Sequence, residues 1–222
     1  MPYMDMDVAK WRVTWVRPLH MVNVVGIMGS GKTVTLMKLK NIWKQIRATG
    51  PKVSIYFQYR EDKVDEFWET VKSVEAEKVF VAIDDISFII QSQKQRRFLH
   101  ALSKIRHLNP RVKQWTIATS IHYSRATLPF LRLAHTKILT SITNPEEIDA
   151  LSDAFPRESL WDFYYVYTRN PLKYWRLVNW LGVVFLTRLT YPKQLCWDIV
   201  VHGPECIQPR RRGRPPKPPF PD

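Results

Sequence analysis

A chain of 222 residues with 45% hydrophobic and 13% aromatic side chains holds enough apolar surface for one sizeable domain and an appendage, which excludes global disorder. Lys plus Arg number 34 against 20 Asp plus Glu, a formal net charge of +14, which suits a polyanionic partner and makes binding to it salt-dependent. The longest apolar stretch, Leu177 to Leu189, is interrupted by Asn179 and Arg188 and falls short of the roughly 18 residues a spanning helix needs, so the expectation is an intracellular protein without membrane insertion.

In chain order, His20 to Gly26 is a short β-branched run ending in glycine, and from Thr33 the apolar residues Leu36, Leu39, Trp43 and Ile46 form a helical stripe. Strand, Gly-rich turn and helix therefore follow one another. Gly50-Pro51 closes that unit, Val53 to Phe57 reads as a second strand, and Val64, Phe67, Trp68 and Val71 mark one face of a second helix. Val79 to Ile83 is apolar throughout, as a central strand of a parallel sheet would be, and ends in Asp84-Asp85. Phe98, Leu99, Leu102 and Ile105 give a further helix stopped by Asn109-Pro110, followed by strands at Trp115 to Thr119 and Thr136 to Ile142. Asn144-Pro145-Glu146-Glu147 reads as a helix start. Alternation of strand and helix from residue 20 to about 155 predicts an α/β domain with a mainly parallel sheet flanked by helices.

The aromatic-rich stretch Trp161 to Trp180, split by Arg169-Asn170-Pro171, fits a hairpin or a helix packed on that sheet. The domain is expected to span residues 1–206, with a core at 12–155 and an aromatic-rich extension at 156–206. Residues 207–222 are basic and proline-rich, the composition of a disordered tail. Cys196 and Cys206 lack metal-ligand spacing and read as free thiols of a reducing compartment, with a disulfide as the alternative.

The segment Gly26-Ile27-Met28-Gly29-Ser30-Gly31-Lys32-Thr33 matches the phosphate-binding loop, or Walker A motif, at every fixed position and lies between a strand and a helix. Glycines let successive N–H groups turn toward a β-phosphate at a helix N-terminus, and Lys32 neutralises the β/γ oxygens. The Thr33 hydroxyl helps hold Mg²⁺, so ATP and Mg²⁺ are the expected cofactors. The nucleotide-binding set is Gly26, Gly29, Ser30, Gly31, Lys32, Thr33 and Val34. Val79 to Asp85 supplies the companion Walker B strand, with Asp84 assigned to the metal and Asp85 to the attacking water.

One additional strand-helix unit between the phosphate loop and the acidic strand suits a RecA-like, additional-strand P-loop NTPase. In that topology the strand ending Ala118-Thr119-Ser120 lies between the other two and offers a γ-phosphate sensor, Ser120 first and Thr119 second.

The runs Pro18 to Val34, Val81-Ala82-Ile83-Asp84-Asp85, Ile105-Arg106-His107 and Thr116-Ile117-Ala118-Thr119-Ser120 together resemble the FtsK/HerA superfamily of DNA-pumping ATPases. Within it they are most similar to genome-packaging ATPases of membrane-containing and turreted archaeal viruses. Leu128 to Arg132, Ile138-Leu139 and Asn144 to Ile148 extend the likeness over residues 12–155. Two positions depart from the family pattern: Asp85 stands where glutamate is usual, and Ser120 where the sensor strand usually ends in glutamine.

The resemblance implies an oligomeric ring, commonly a hexamer, with an arginine reaching the neighbouring subunit's γ-phosphate. Arg106 falls at the family's arginine position, with Arg125 and Arg132 as reserves. It also implies double-stranded DNA as substrate, capsid or portal-vertex proteins as partners, and a location in the host cytoplasm or on the virion.

Arg210 to Lys217 is similar to an AT-hook, with Arg212, Arg214 and Lys217 as DNA contacts in a narrow minor groove; a solubilising basic tail is the plain alternative. The leading function is thus an ATP-driven motor translocating double-stranded DNA, packaging a viral genome. The principal alternative is a non-translocating P-loop DNA-binding protein that uses ATP as an assembly switch. A nucleotide or small-molecule kinase has no need of so much positive charge, and a Zot-type assembly ATPase usually carries a membrane span.

Overall fold

Strand β3 (Lys78–Asp84) is buried from Val79 onward, so both of its faces must be covered, which only a central position in a layered sheet provides. In the computed structural model, which describes residues 2, 17–46, 50–86, 93–122, 128–169, 175–188 and 195–207, that is its place. The elements that precede it are β1 (Leu19–Val25), α1 (Lys32–Gln45), β2 (Lys52–Gln58) and α2 (Val64–Ser73). After it come α3 (Gln93–Ser103), β4 (Gln114–Ile121), α4 (Leu128–Leu133), β5 (Thr136–Leu139), α5 (Glu146–Leu151) and α6 (Arg157–Arg169). The chain continues through β6 (Trp175–Trp180), β7 (Val183–Arg188), β8 (Leu195–Cys196), β9 (Ile199–His202) and β10 (Cys206–Ile207).

Among the described residues the main sheet has eight strands in the order β7-β6-β5-β1-β4-β3-β2-β9. Strands β5, β1, β4, β3, β2 and β9 are mutually parallel. Strands β6 and β7 form an antiparallel hairpin on the β5 edge. As the sequence predicts, β4 lies between β1 and β3. Their C-terminal ends, and with them Gly26, Asp84 and Ile121, gather at one edge of the sheet.

Alternation along the strands divides the core in two. Val22, Val24, Tyr56, Phe80, Ala82, Ala118, Ile138 and Val178 face Leu36, Leu39, Ile42 and Trp43 of α1. Met21, Val25, Phe57, Val81, Ile83, Ile117 and Leu177 face the opposite layer, with Phe67 of α2, Phe98 of α3 and Phe163 of α6. Helices thus cover both faces of the sheet, a three-layer α/β architecture.

The stretch from Trp161 to Trp180 contains both forms that its composition allowed, a helix to Arg169 and a strand from Trp175. Leu181-Gly182 closes the hairpin with φ of 50° and 91°, the double positive φ of a type I′ turn that matches strand twist. The free-thiol expectation is corrected: β8 and β10 pair antiparallel with Cys196 opposite Cys206, and the two form a disulfide with Cα atoms 4.1 Å apart. Periodicity could not reveal it, because pairing depends on a register set by β9 docking on β2 between the cysteines. Among the described residues no helix is long and apolar enough to cross a membrane.

Candidate nucleotide site

Gly26 leaves β1 with its N–H on the Ile121 carbonyl of β4. A side chain there has no room, since a Cβ would lie 2.0 Å from Thr140 Oγ1 and 2.7 Å from Ser30 Oγ. The loop then rises into solvent through Ile27 and Met28, both exposed, and returns through Gly29 and Gly31 at φ of 75° and 84°, a region that L side chains avoid. Gly31 caps α1, and Thr35 N–H donates to its carbonyl at 3.0 Å. No acidic residue occupies the first turn of α1, so nothing there competes for the positive end of the helix dipole. Val34 lies in that first turn, partly exposed.

Neighbouring segments brace the loop. Ser141 Oγ accepts the Ile27 N–H at 3.1 Å, and the Ser30 and Thr140 hydroxyls lie 2.6 Å apart. Lys32, 7% exposed, turns its ammonium onto the Ile27 carbonyl at 2.8 Å and lies 3.4 Å from His122 Nε2. Burial lowers its pKa, opposed by the Asp85 and Asp84 carboxylates.

Three hydroxyls converge on Asp84. Thr33 Oγ1 donates to Asp84 Oδ2 at 2.6 Å and Tyr56 Oη donates to the same oxygen at 3.0 Å, while Ser120 Oγ donates to Oδ1. Burial, followed by the Asp84 charge, raises the Tyr56 pKa, so this phenol stays a donor. The paired hydroxyl of Thr33 and carboxylate of Asp84 are hard oxygen ligands of the kind Mg²⁺ prefers, one protein hydroxyl and one carboxylate leaving room for waters and phosphate oxygens.

Asp85 adopts φ of 64°, a strained conformation of the sort held at functional sites. Its N–H donates to Ser120 Oγ at 2.8 Å. Its side chain, about half exposed, lies 3.7 Å from His122 Nε2.

Ser120 is fully buried and its hydroxyl serves Asp84 and Asp85, so in this geometry it reaches a nucleotide only through the two acids. Thr119 lies apart from the acids, donating to Asn23 Oδ1 at 2.6 Å. His122, at the end of β4, carries no distinctive spacing in the sequence. Only the parallel pairing of β4 between β1 and β3 brings it to Lys32 and Asp85. Tyr56 of β2, Thr140 and Ser141 just past the end of β5, and Arg176 of β6 are likewise brought here by a sheet order that the local sequence does not encode.

Arg106 sits elsewhere. It lies in the turn Ile105–His107 ahead of the start of β4, exposed, with Nε donating to His107 Nε2 at 3.2 Å. The nearby Asn109 amide binds the carbonyls that end α2. Because β4 runs parallel to β1, this is the end of the sheet opposite the Gly26–Thr33 loop. Arg132 pairs with Asp153 at 3.0 Å. Arg125, Arg212, Arg214 and Lys217 lie outside the described residues.

A phosphate-type loop at the tip of β1, acids at the tip of β3 and a strand between them define the chain as a P-loop NTPase fold of the RecA-like, additional-strand type. Sequence comparison alone gives no match, either to a family model or to a curated protein. Solved structures do match. One is the genome packaging NTPase B204 from Sulfolobus turreted icosahedral virus 2 in complex with AMPPCP, at TM-score 0.52 and 14% identity over 79% of this chain and 99% of that one. Another is B204, the DNA-packaging ATPase from Sulfolobus Turreted Icosahedral Virus, at TM-score 0.51 and 13% identity over 78% and 98% of the two chains. The chain shares the fold of these two packaging NTPases.

Proposed function

We propose that this chain binds Mg·ATP at the Gly26–Val34 loop and hydrolyses it to translocate double-stranded DNA, packaging a viral genome. The observation that carries the nucleotide part is the 2.6 Å bond between Thr33 Oγ1 and Asp84 Oδ2. It brings the loop hydroxyl and the strand carboxylate to the spacing at which one divalent ion can take both. Lys32 neutralises β/γ-phosphate oxygens and the loop N–H groups cradle them. Thr33 and Asp84 hold Mg²⁺, which supplies charge neutralisation at the phosphates. Asp85 orients the attacking water, and Ser120 fixes both acids.

The remaining parts of the reading rest on the packaging fold and the +14 charge. The chain works as a ring, hexameric in the family it resembles. Arg106, on the edge opposite its own loop, serves a neighbour's nucleotide. The tail and the basic surface contact DNA, largely through phosphates. Capsid or portal-vertex proteins form the docking partners, in the host cytoplasm or at the virion. Asp85, a methylene shorter than glutamate, favours the second reading, an ATP-switched DNA binder with negligible turnover.

The test is the steady-state ATPase rate of wild type and Lys32→Ala, with and without long double-stranded DNA. DNA-stimulated hydrolysis lost in Lys32→Ala supports the motor. DNA binding with hydrolysis at the level of the variant supports the switch.

A further inference from the structure

Arg176, in β6, is 1% exposed, and a guanidinium is almost never buried unless its N–H groups are engaged. Because β6 runs antiparallel to β5, it begins, rather than ends, at the nucleotide edge of the sheet. That direction delivers Arg176 beneath the phosphate loop, on the α1 face that Val178 also occupies.

Its donors divide between two tasks. Nη1 donates to the carbonyls of Trp175 at 2.8 Å and Thr140 at 3.3 Å, tying the guanidinium to the sheet. Nη2 donates to the carbonyls of Ser30 at 3.0 Å and Gly31 at 3.4 Å, and Nε donates to Thr35 Oγ1 at 3.0 Å. Thr35 Oγ1 in turn donates to the Gly31 carbonyl at 2.9 Å. A Cβ on Gly31 would stand 2.8 Å from Nη2, so this glycine also makes room for the arginine.

The consequence follows from the planar trans peptide, in which C=O and the following N–H point opposite ways. Pulling the Ser30 carbonyl down onto Arg176 turns the Gly31 N–H outward, and pulling the Gly31 carbonyl down does the same for the Lys32 N–H. These are donors that a phosphate loop presents to its anion.

We propose that Arg176 is a positioning residue for nucleotide binding, holding the phosphate loop in its anion-accepting conformation from the C-terminal hairpin. The inference rests on the nucleotide-binding reading above. A lysine keeps the charge but lacks the planar fork, so it cannot serve the Ser30, Gly31 and Thr35 oxygens together.

The experiment measures Kd for Mg·ATP and Mg·ADP, KM and kcat for ATP, and thermal melting, on wild type, Arg176→Lys and Arg176→Met. The expected result is Kd and KM raised about tenfold or more in both variants, the loss of one or two charge-assisted hydrogen bonds, with kcat changed less than KM. Wild-type affinity in a folded Arg176→Lys overturns the inference alone. So does failure of both variants to reach the native circular dichroism spectrum, which makes the role structural. No ATP binding by the wild type overturns the nucleotide reading, and the inference with it.

Discussion

Asp84 and Asp85 are adjacent in sequence yet live in different environments. Asp84 is buried among three hydroxyl donors, whereas Asp85 is turned outward by its left-handed backbone. Asp85→Asn removes the carboxylate assigned to the attacking water without touching the loop. We expect turnover to fall about 100-fold or more, as for loss of a general base, while the Kd for ATP stays within a few-fold. Gly26→Ala pushes a methyl into Thr140 and Ser30, so ATP binding should vanish at concentrations that saturate the wild type in calorimetry.

At the far end of β1, burial, with the His135 ring and Arg17 beside it, pushes the His20 pKa down to about 3. The unfolded chain takes up this proton near pH 6.5 while the native state refuses it, so the group destabilises the fold as pH falls below about 6.5, levelling off below about 3. The melting temperature should therefore drop from pH 7 to pH 5, and drop less in His20→Gln.

At the scale of elements, the segment β8–β9–β10 acts as a strap on the sheet. Strand β9 extends the edge at β2, and Trp197, ahead of it, stacks on Tyr56 with ring centroids 4.9 Å apart. Lys40 of α1 donates to the Cys196 carbonyl and lies 5.0 Å above the Trp197 ring. The strap is closed by a disulfide across 10 residues. Loop-closure entropy assigns such a link about 3 kcal/mol. Reduction, or Cys206→Ser, is expected to lower unfolding free energy by about 2–3 kcal/mol in urea titrations. Unchanged stability under reductant would mean that the packing of Trp197 holds the strap by itself. Because Tyr56 also binds Asp84, nucleotide affinity is a second readout of the same lesion.

At the scale of the molecule, the net charge of +14 fixes what the proposed DNA binding should look like in salt. Affinity should fall by about 100-fold or more between 50 and 200 mM salt, the behaviour of a protein neutralising several phosphates. Fluorescence anisotropy with two unrelated duplexes measures this, and similar affinities for both would reflect contact with the backbone rather than the bases. Removing residues 208–222, with Arg210, Arg211, Arg212, Arg214 and Lys217, should flatten the salt slope by up to about five phosphate contacts. An unaltered slope places the DNA contacts on the folded domain.

The sequence by itself determined whatever is encoded over short spans. The phosphate-loop pattern occupies eight consecutive residues, the acidic strand seven, and the alternation of strand and helix announces a parallel sheet, because these patterns reflect local backbone geometry and one-sided burial. The order of β1, β4 and β3 was legible for the same reason, through the number of strand-helix units between motifs. Tertiary structure alone decided what supports those motifs. Arg176 meets Ser30 across 146 positions, Thr140 meets it across 110, and His122 meets Lys32 across 90. No local pattern marks such residues, since their roles exist only once sheet order and register bring them to one edge. The cysteine pair was decided there too, by a register that two-residue strands cannot signal on their own.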